Sequence, residues 1–246
     1  MTDTGAGAST APRAVVLVTG AGSGIGRATA RLFALRGYRV AVNDLEHERA
    51  RMVAADLGAF PCAVDVADAA AVQAMVRSVE HEVGRVSVAV CNAGFSGHTA
   101  LGDIGDELWR RSLRVNLGGC FNIARAVAPS MQAHHDGAIV TVSSELALIG
   151  AAGLAHYISA KSAVLGFTKA LARELAPWSV RVNCVAPGPT DTPLLSDHFR
   201  SPDYLTSLPL GRLGTPEEIA ESIVFLAEAR WTTGQVLSPN GGAVIQ

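Results

Sequence analysis

The sequence predicts one doubly wound α/β domain, a parallel sheet covered by helices on both faces. Three observations carry that reading. Short β-rich runs alternate with helical periods of roughly 10–20 residues, the pattern of βαβ units. The β-rich runs are apolar on both faces, as strands covered from both sides must be. A glycine cluster directly follows the first run and opens a helix.

The elements follow in order. Residues 14–19 (AVVLVT) read as a buried strand, followed by a helix over 25–35 that Gly37 ends. A second strand is expected at 38–43, a helix at 46–57 and a short strand at 60–65. A helix over 69–83 leads to a strand at 86–91, and one long helix to 107–134. Strand 138–144, helix 156–176 and strand 180–187 come next. A helix over 216–229 starts with Pro216 and is capped by Thr215. A short strand near 235–238 closes the sheet. Residues 1–13 read as a disordered tail and 14–246 as one domain, with no linker or internal repeat. Glycine and proline gather in the strand-to-helix turns and in 188–214. In such a sheet, ligands bind outside the carboxyl ends of the strands, at the switch point.

Composition narrows the function classes. The 246 residues carry a formal charge of −2, from 20 Lys+Arg and 22 Asp+Glu. That balance argues against nucleic acid or an anionic membrane as partner. No strictly apolar run exceeds five residues, so no membrane span is expected. The N-terminus has no basic region followed by an apolar one, so it does not read as a secretory signal. Cys62, Cys91, Cys120 and Cys184 form no CxxC pair. No metal site is expected, and scattered thiols fit a reducing cytoplasm.

Thr19-Gly20-Ala21-Gly22-Ser23-Gly24-Ile25-Gly26 stands between first strand and first helix. Glycines there let the backbone approach a diphosphate, and the helix N-terminus offers it free N–H groups. The spacing is G-x-x-x-G-x-G, at Gly20, Gly24 and Gly26, rather than G-x-G-x-x-G. Asp44 follows the second strand, 24 residues after Gly20. A carboxylate there accepts both hydroxyls of an adenosine ribose and repels a 2′-phosphate, so NAD is expected over NADP. Arg39 stands too early to receive such a phosphate; Arg49 and Arg51 remain within conceivable reach.

Together these residues resemble the short-chain dehydrogenase/reductase family, of the type that includes 3-oxoacyl carrier-protein reductases. The motifs are Thr19–Gly26, Asp65-Val66, Asn92-Ala93-Gly94, Asn116, Ser144, Tyr157-x-x-x-Lys161 and Pro187-Gly188. The resemblance runs from about residue 14 to the end. It implies a Rossmann-like fold with a seven-stranded parallel sheet, and NAD(P)-dependent oxidation of alcohols or reduction of ketones. It implies that Gly20, Ser23, Gly24, Ile25, Gly26, Asp44, Asp65, Val66, Asn92, Ala93, Gly94, Tyr157, Lys161, Pro187, Gly188, Thr190 and Thr192 hold the cofactor.

The residues support this chemistry independently. Tyr157 and Lys161 stand four apart on a predicted helix and share a face. Free tyrosine titrates near 10, too high for a neutral-pH base. A neighbouring ammonium favours the phenolate. Ser144, thirteen residues before Tyr157, can donate a hydrogen bond to the substrate oxygen. Ser143 is its neighbour; pleat alternation allows only one of the two to face the site, and family spacing selects Ser144. Asn116 is a short amide in a predicted helix, where it is a poor helix former. In the family it holds a water that relays protons to the lysine.

Residues 190–212 occupy the position of the family's mobile substrate lid, with Leu194, Leu195, His198, Phe199 and Tyr204. Phe95, Leu146, Ile149 and Leu154 are expected to add apolar wall, a pocket for a medium-sized alcohol or ketone. Glu145 and His156 flank the catalytic positions; each either touches a polar substrate group or is a solvated flank residue. Asp44 tips the expectation toward an alcohol-oxidising, NAD-dependent dehydrogenase. The alternatives are an NADPH-dependent 3-oxoacyl ketoreductase and a non-catalytic NAD-binding sensor. The resemblance further implies a homotetramer.

Overall fold

The computed structural model describes residues 14–245, apart from the side chain of His198; the predicted tail, 1–13, lies outside the described residues. The chain runs β1 (Val15–Thr19), α1 (Gly24–Leu35), β2 (Arg39–Asp44), α2 (His47–Leu57), β3 (Phe60–Ala63), α3 (Ala69–Glu82) and β4 (Val86–Cys91). Next come α4 (Asp106–Asn116), α5 (Gly118–Ala133), β5 (Gly137–Val142), α6 (Leu146–Ile149), α7 (Ala155–Leu175) and β6 (Val180–Val185). Then follow α8 (Pro202–Ser207), α9 (Pro216–Glu228) and β7 (Val236–Leu237).

The seven strands form one sheet in the order β3-β2-β1-β4-β5-β6-β7, and every pairing is parallel. The order reverses between β1 and β4, so their carboxyl ends open the crevice where such sheets bind ligands. Two apolar layers cover the sheet. Val76, Val79, Ile123, Met131, Val164 and Leu175 bring α3, α5 and α7 onto one face. Phe33, Val53, Ile219 and Ile223 bring α1, α2 and α9 onto the other.

Local chemistry starts the helices where the sequence indicates. Asp68 Oδ1 accepts from Ala70 N at 2.9 Å and Ala71 N at 3.0 Å, capping α3. Thr215 and Glu218 form a reciprocal capping box on α9, with Pro216 in the first turn. Gly58, at φ 60°, ends α2 in the left-handed conformation.

Three expectations are corrected. The single helix over 107–134 is two helices, α4 and α5, separated at Leu117 (φ −105°, ψ −52°). The Asn116 side chain is drawn to the Phe95 backbone, and Gly118-Gly119 beyond it has little helix preference. Residues 190–212 are not wholly irregular: a 3₁₀ turn (Asp197–Arg200) and α8 lie within them. The segment is also anchored by a bridge between Thr190 and Gly214. Between β5 and α7 the one-turn helix α6 stands where no element was expected.

Candidate active site

The turns after β1 and β4 are stitched together by Thr19. Its hydroxyl donates to Val90 O at 3.2 Å and accepts from Asn92 N at 3.0 Å and Ala93 N at 3.1 Å. The Asn92 amide donates back to Thr19 O at 2.9 Å and Gly20 O at 3.2 Å. Gly20 (φ 62°) and Gly24 (φ 50°) make the left-handed turns of the loop. Gly22, which the sequence reading passed over, donates its N–H to Asp44 Oδ2 at 2.9 Å. The other Asp44 oxygen accepts from Glu46 N at 3.0 Å.

A cleft of about 500 Å³ lies along these turns. Gly20, Ser23, Gly24, Ile25, Asp44, Asp65, Val66, Asn92, Ala93 and Gly94 line it. Gly26 does not: a Cβ there would sit 2.2 Å from Gly20 O, so this glycine closes the loop on itself instead of meeting a ligand. Asn43, Arg111, Arg114 and Val115 also line the cleft and were not expected there; Arg49, kept within reach of a 2′-phosphate by the sequence, lines it as well, and Arg51 does not. Arg111 and Arg114 stand three apart on α4 and share a face, and Arg111 stacks 4.8 Å over the Phe95 ring at the cleft.

A second cavity of about 490 Å³ adjoins the first and shares Ile25, Asn92, Gly94, Thr192 and Leu194 with it. Ser144, Tyr157 and Lys161 meet on its wall with Leu146, Leu154, Pro187, Gly188, Thr190 and Leu195. Lys161 is buried and donates to Val142 O at 2.8 Å. Its Nζ lies 5.8 Å from the centroid of the Tyr157 ring, as residues one helical turn apart should.

Ser143 and Ser144 both lie past the end of β5 and both line the cavity, so pleat alternation does not separate them. Their hydrogen bonds do. Ser143 Oγ donates to Lys161 O at 2.7 Å, and its proton is spent. Ser144 Oγ accepts from Leu146 N at 3.2 Å, which leaves its proton to give.

Besides Gly26, four expected residues fall elsewhere. Asn116 lines neither cavity. It lies fully buried behind Gly94, with Oδ1 accepting from Phe95 N and Nδ2 donating to Phe95 O, both at 3.1 Å. Phe95 lines the first cleft, not the second cavity, because that tie turns it toward α4. Ile149 is 59% exposed; Gly150 (φ 82°) ends α6 there and turns the chain away. His156 is neither a pocket residue nor a solvated flank: it is fully buried, between Ser112 Oγ at 3.1 Å and Gly97 O at 2.9 Å. It fastens α7 to α4 and to the loop after β4.

Glu145 is also buried rather than solvated, only 5% exposed, and it faces the second cavity. Its Oε2 has no hydrogen-bond partner. Burial pushes its carboxyl up to about 7. Among the described residues no cluster of His, Cys, Asp and Glu could hold a metal, and no helix is long and apolar enough to cross a membrane.

A family model described as enoyl-(acyl carrier protein) reductase matches residues 20–244. The 3-oxoacyl-(acyl-carrier-protein) reductase of Thermotoga maritima is 40% identical, over 94% of this chain and 98% of the relative. A short-chain type dehydrogenase/reductase from Mycobacterium marinum superposes with a TM-score of 0.90 at 33% identity, over 95% of this chain and 96% of that one. A 3-oxoacyl-(acyl-carrier-protein) reductase from Brucella melitensis, solved with bound NAD, gives 0.87 at 35%, covering 95% and 92%.

Proposed function

Because this chain belongs to the short-chain dehydrogenase/reductase family, we propose that it reduces the keto group of a 3-oxoacyl thioester with NADH. That it is an NAD(P)-dependent oxidoreductase follows from the family. The expectation of an alcohol-oxidising dehydrogenase gives way here to the ketoreductase alternative, because reductase is what the 40% identical relative is named. NAD is kept as the cofactor on the strength of Asp44, whose carboxylate lines the first cleft. A 2′-phosphate brought there would meet like charge on Asp44, with Arg49 on the same cleft as the opposing cation near that carboxylate.

The residues fit a dinucleotide. A Cβ on Gly94 would come within 2.5 Å of Asn116 Oδ1, and one on Gly22 within 2.6 Å of the Asp44 carboxylate. Those contacts hold the loops against their own side chains, and the bare backbones of Gly20, Gly24 and Gly94 line the cleft in which a dinucleotide would lie. Bound there, NADH supplies the hydride. Tyr157 Oη gives the proton to the carbonyl oxygen as it becomes an alcohol oxygen. The free Ser144 proton holds that oxygen in place. The Lys161 ammonium offsets the charge left on the phenol oxygen. Asn116 holds the Gly94-Phe95 turn that separates the two cavities. In this reading Pro187, Gly188, Thr190 and Thr192, which line the second cavity, hold the nicotinamide end.

The observation that carries this reading is the meeting of Ser144, Tyr157 and Lys161 on one cavity that opens into the glycine-turn cleft. A sensor that merely binds NAD has no use for such proton-transfer groups. The test follows loss of reduced-nicotinamide absorbance with an acetoacetyl thioester, with NADH and NADPH in parallel. Turnover with NADH that Tyr157→Phe abolishes supports the reading. Oxidation of simple alcohols without reduction of the thioester overturns it.

The residues exposed on α4 and α5, Trp109 and Phe121, and those near the C-terminus, Phe225, Trp231 and Ile245, leave apolar surface for a homotetramer. Light scattering at the mass of one chain would overturn that. A reducing cytoplasm suits the four free, buried thiols.

A further inference from the structure

Among the described residues, Glu145 is the one buried carboxyl on the substrate cavity that the mechanism leaves unused. Its backbone is pinned on both sides: the N–H donates to Pro187 O at 2.9 Å, and the carbonyl accepts from Leu148 N at 2.8 Å. The side chain passes Gly188 so closely that a Cβ there would lie 3.0 Å from Oε2. Oε2 is shut from solvent and unpartnered. No ion pair among the described residues engages this carboxyl, and the ammonium of Lys161, on the same cavity, is directed at Val142 O. An unpaired charge in such a place is costly, and a carboxyl there keeps its proton. In that form it is a hydrogen-bond donor.

The donor stands next in the chain to Ser144, the residue placed to hold the reacting oxygen. Two adjacent donors on one wall match a substrate with two acceptor oxygens close together. We infer that Glu145 is a specificity-determining residue: its carboxyl donates a hydrogen bond to the second oxygen of a 1,3-dicarbonyl substrate. This rests on the 3-oxoacyl reading, in which that oxygen belongs to the thioester. It explains how the pocket separates a 3-oxoacyl chain from a simple ketone of equal length, whose single oxygen Ser144 and Tyr157 already hold.

The state of the carboxyl matters. The other titratable groups on the cavity are Tyr157 and Lys161 from α7, His98 from the loop after β4, and Tyr204 from α8. Burial holds the Glu145 carboxyl at about 7. Below that value it donates. Above it, the carboxylate faces the thioester oxygen as a second acceptor and repels it.

The experiment measures kcat/KM with NADH for an acetoacetyl thioester and for a simple methyl ketone of similar length. Wild type, Glu145→Gln and Glu145→Leu are compared across pH 5 to 9, as an order-of-magnitude window around the carboxyl's own range. The Leu variant is expected to lower the thioester-to-ketone ratio roughly tenfold, the worth of one hydrogen bond. The Gln variant, whose amide still donates, is expected to keep the ratio within about threefold. It should also lose the alkaline fall near 7 that wild type shows on the thioester alone. A Leu variant that slows both substrates equally marks a structural role and overturns the inference. So does a thioester rate that rises through 7, the mark of a carboxylate reading a donor-bearing substrate. Wild-type enzyme that reduces the ketone and leaves the thioester untouched overturns the 3-oxoacyl reading itself, and the inference with it.

Discussion

Gly26 has no room for a side chain: beyond the Gly20 carbonyl, the Asn92 amide would lie 2.6 Å from a Cβ. Both partners are held by the loop's own hydrogen bonds, so neither can yield. Gly26→Ala is expected to cost about 1–3 kcal/mol, read as a lower denaturation midpoint, with weaker NADH binding. Glu145 carries a different liability. Its carboxyl stands at about 7 in the folded chain against 4.5 as its ordinary value, so between those values the folded state binds more protons than the unfolded. Stability is then fully present below about 4.5 and is lost as pH rises to about 7, by up to ~3 kcal/mol. Urea unfolding at pH 5 and pH 8 should show the decline in wild type and not in Glu145→Gln. Asp44→Ala removes the acceptor of two backbone N–H groups and the charge that opposes a 2′-phosphate. The NADH-to-NADPH ratio of kcat/KM is expected to fall at least roughly tenfold, one charge-assisted hydrogen bond's worth. Tyr157→Phe should lower kcat by about 10²–10⁴.

At the level of elements, the start signals in the sequence are those the structure uses. Thr215 and Pro216 stand where the cap of α9 forms, because capping depends on residues two or three apart. Asp68 caps α3 by the same rule, though the sequence reading named only the helix it opens. Thr215→Ala should cost about 1 kcal/mol in thermal unfolding. The interruption at Leu117 was not legible. Its cause is an amide hydrogen-bonding to a residue 21 positions away, and no local pattern reports that. Gly118 and Gly119 were the available signal. Gly119 also lies against Val66, where a Cβ would meet Val66 Cγ2 at 2.7 Å. Gly119→Val is therefore expected to push the Val66 wall into the first cleft, lowering NADH affinity in a binding titration more than an exposed glycine substitution on α5 would.

Over the whole molecule, one of the two apolar layers, the one that α3, α5 and α7 cover, buries all four thiols. Burial pushes Cys62 up to about 12 and Cys184 up to about 11, and the thiolate is the reactive form. Folded protein at pH 8 should label slowly with a thiol reagent, and denatured protein should label at all four positions. Rapid labelling of the folded chain would show that a layer opens. Arg181, at the end of the sheet away from the crevice, donates to the carbonyls of Leu226, Ala227 and Ala229. It thereby ties β6 to the last turn of α9, so this end holds the layers while the opposite end keeps the loops that line both cavities.

By itself the sequence determined what depends on short range and period. Apolar runs bounded by glycine placed the strands. The order of strand, glycine turn and helix placed the crevice, and a spacing of four set Tyr157 and Lys161 on one face. Those features survive any tertiary context because backbone geometry alone imposes them. Tertiary structure decided what depends on direction. It turned Ile149 outward, locked His156 and Asn116 into the framework, and gave Ser144 the free proton that Ser143 had spent. It also buried Glu145, which a sequence presents as one more charged flank residue. Burial is a property of everything packed around a side chain, and for Glu145 that includes Pro187 and Gly188 after β6, more than forty residues further along the chain.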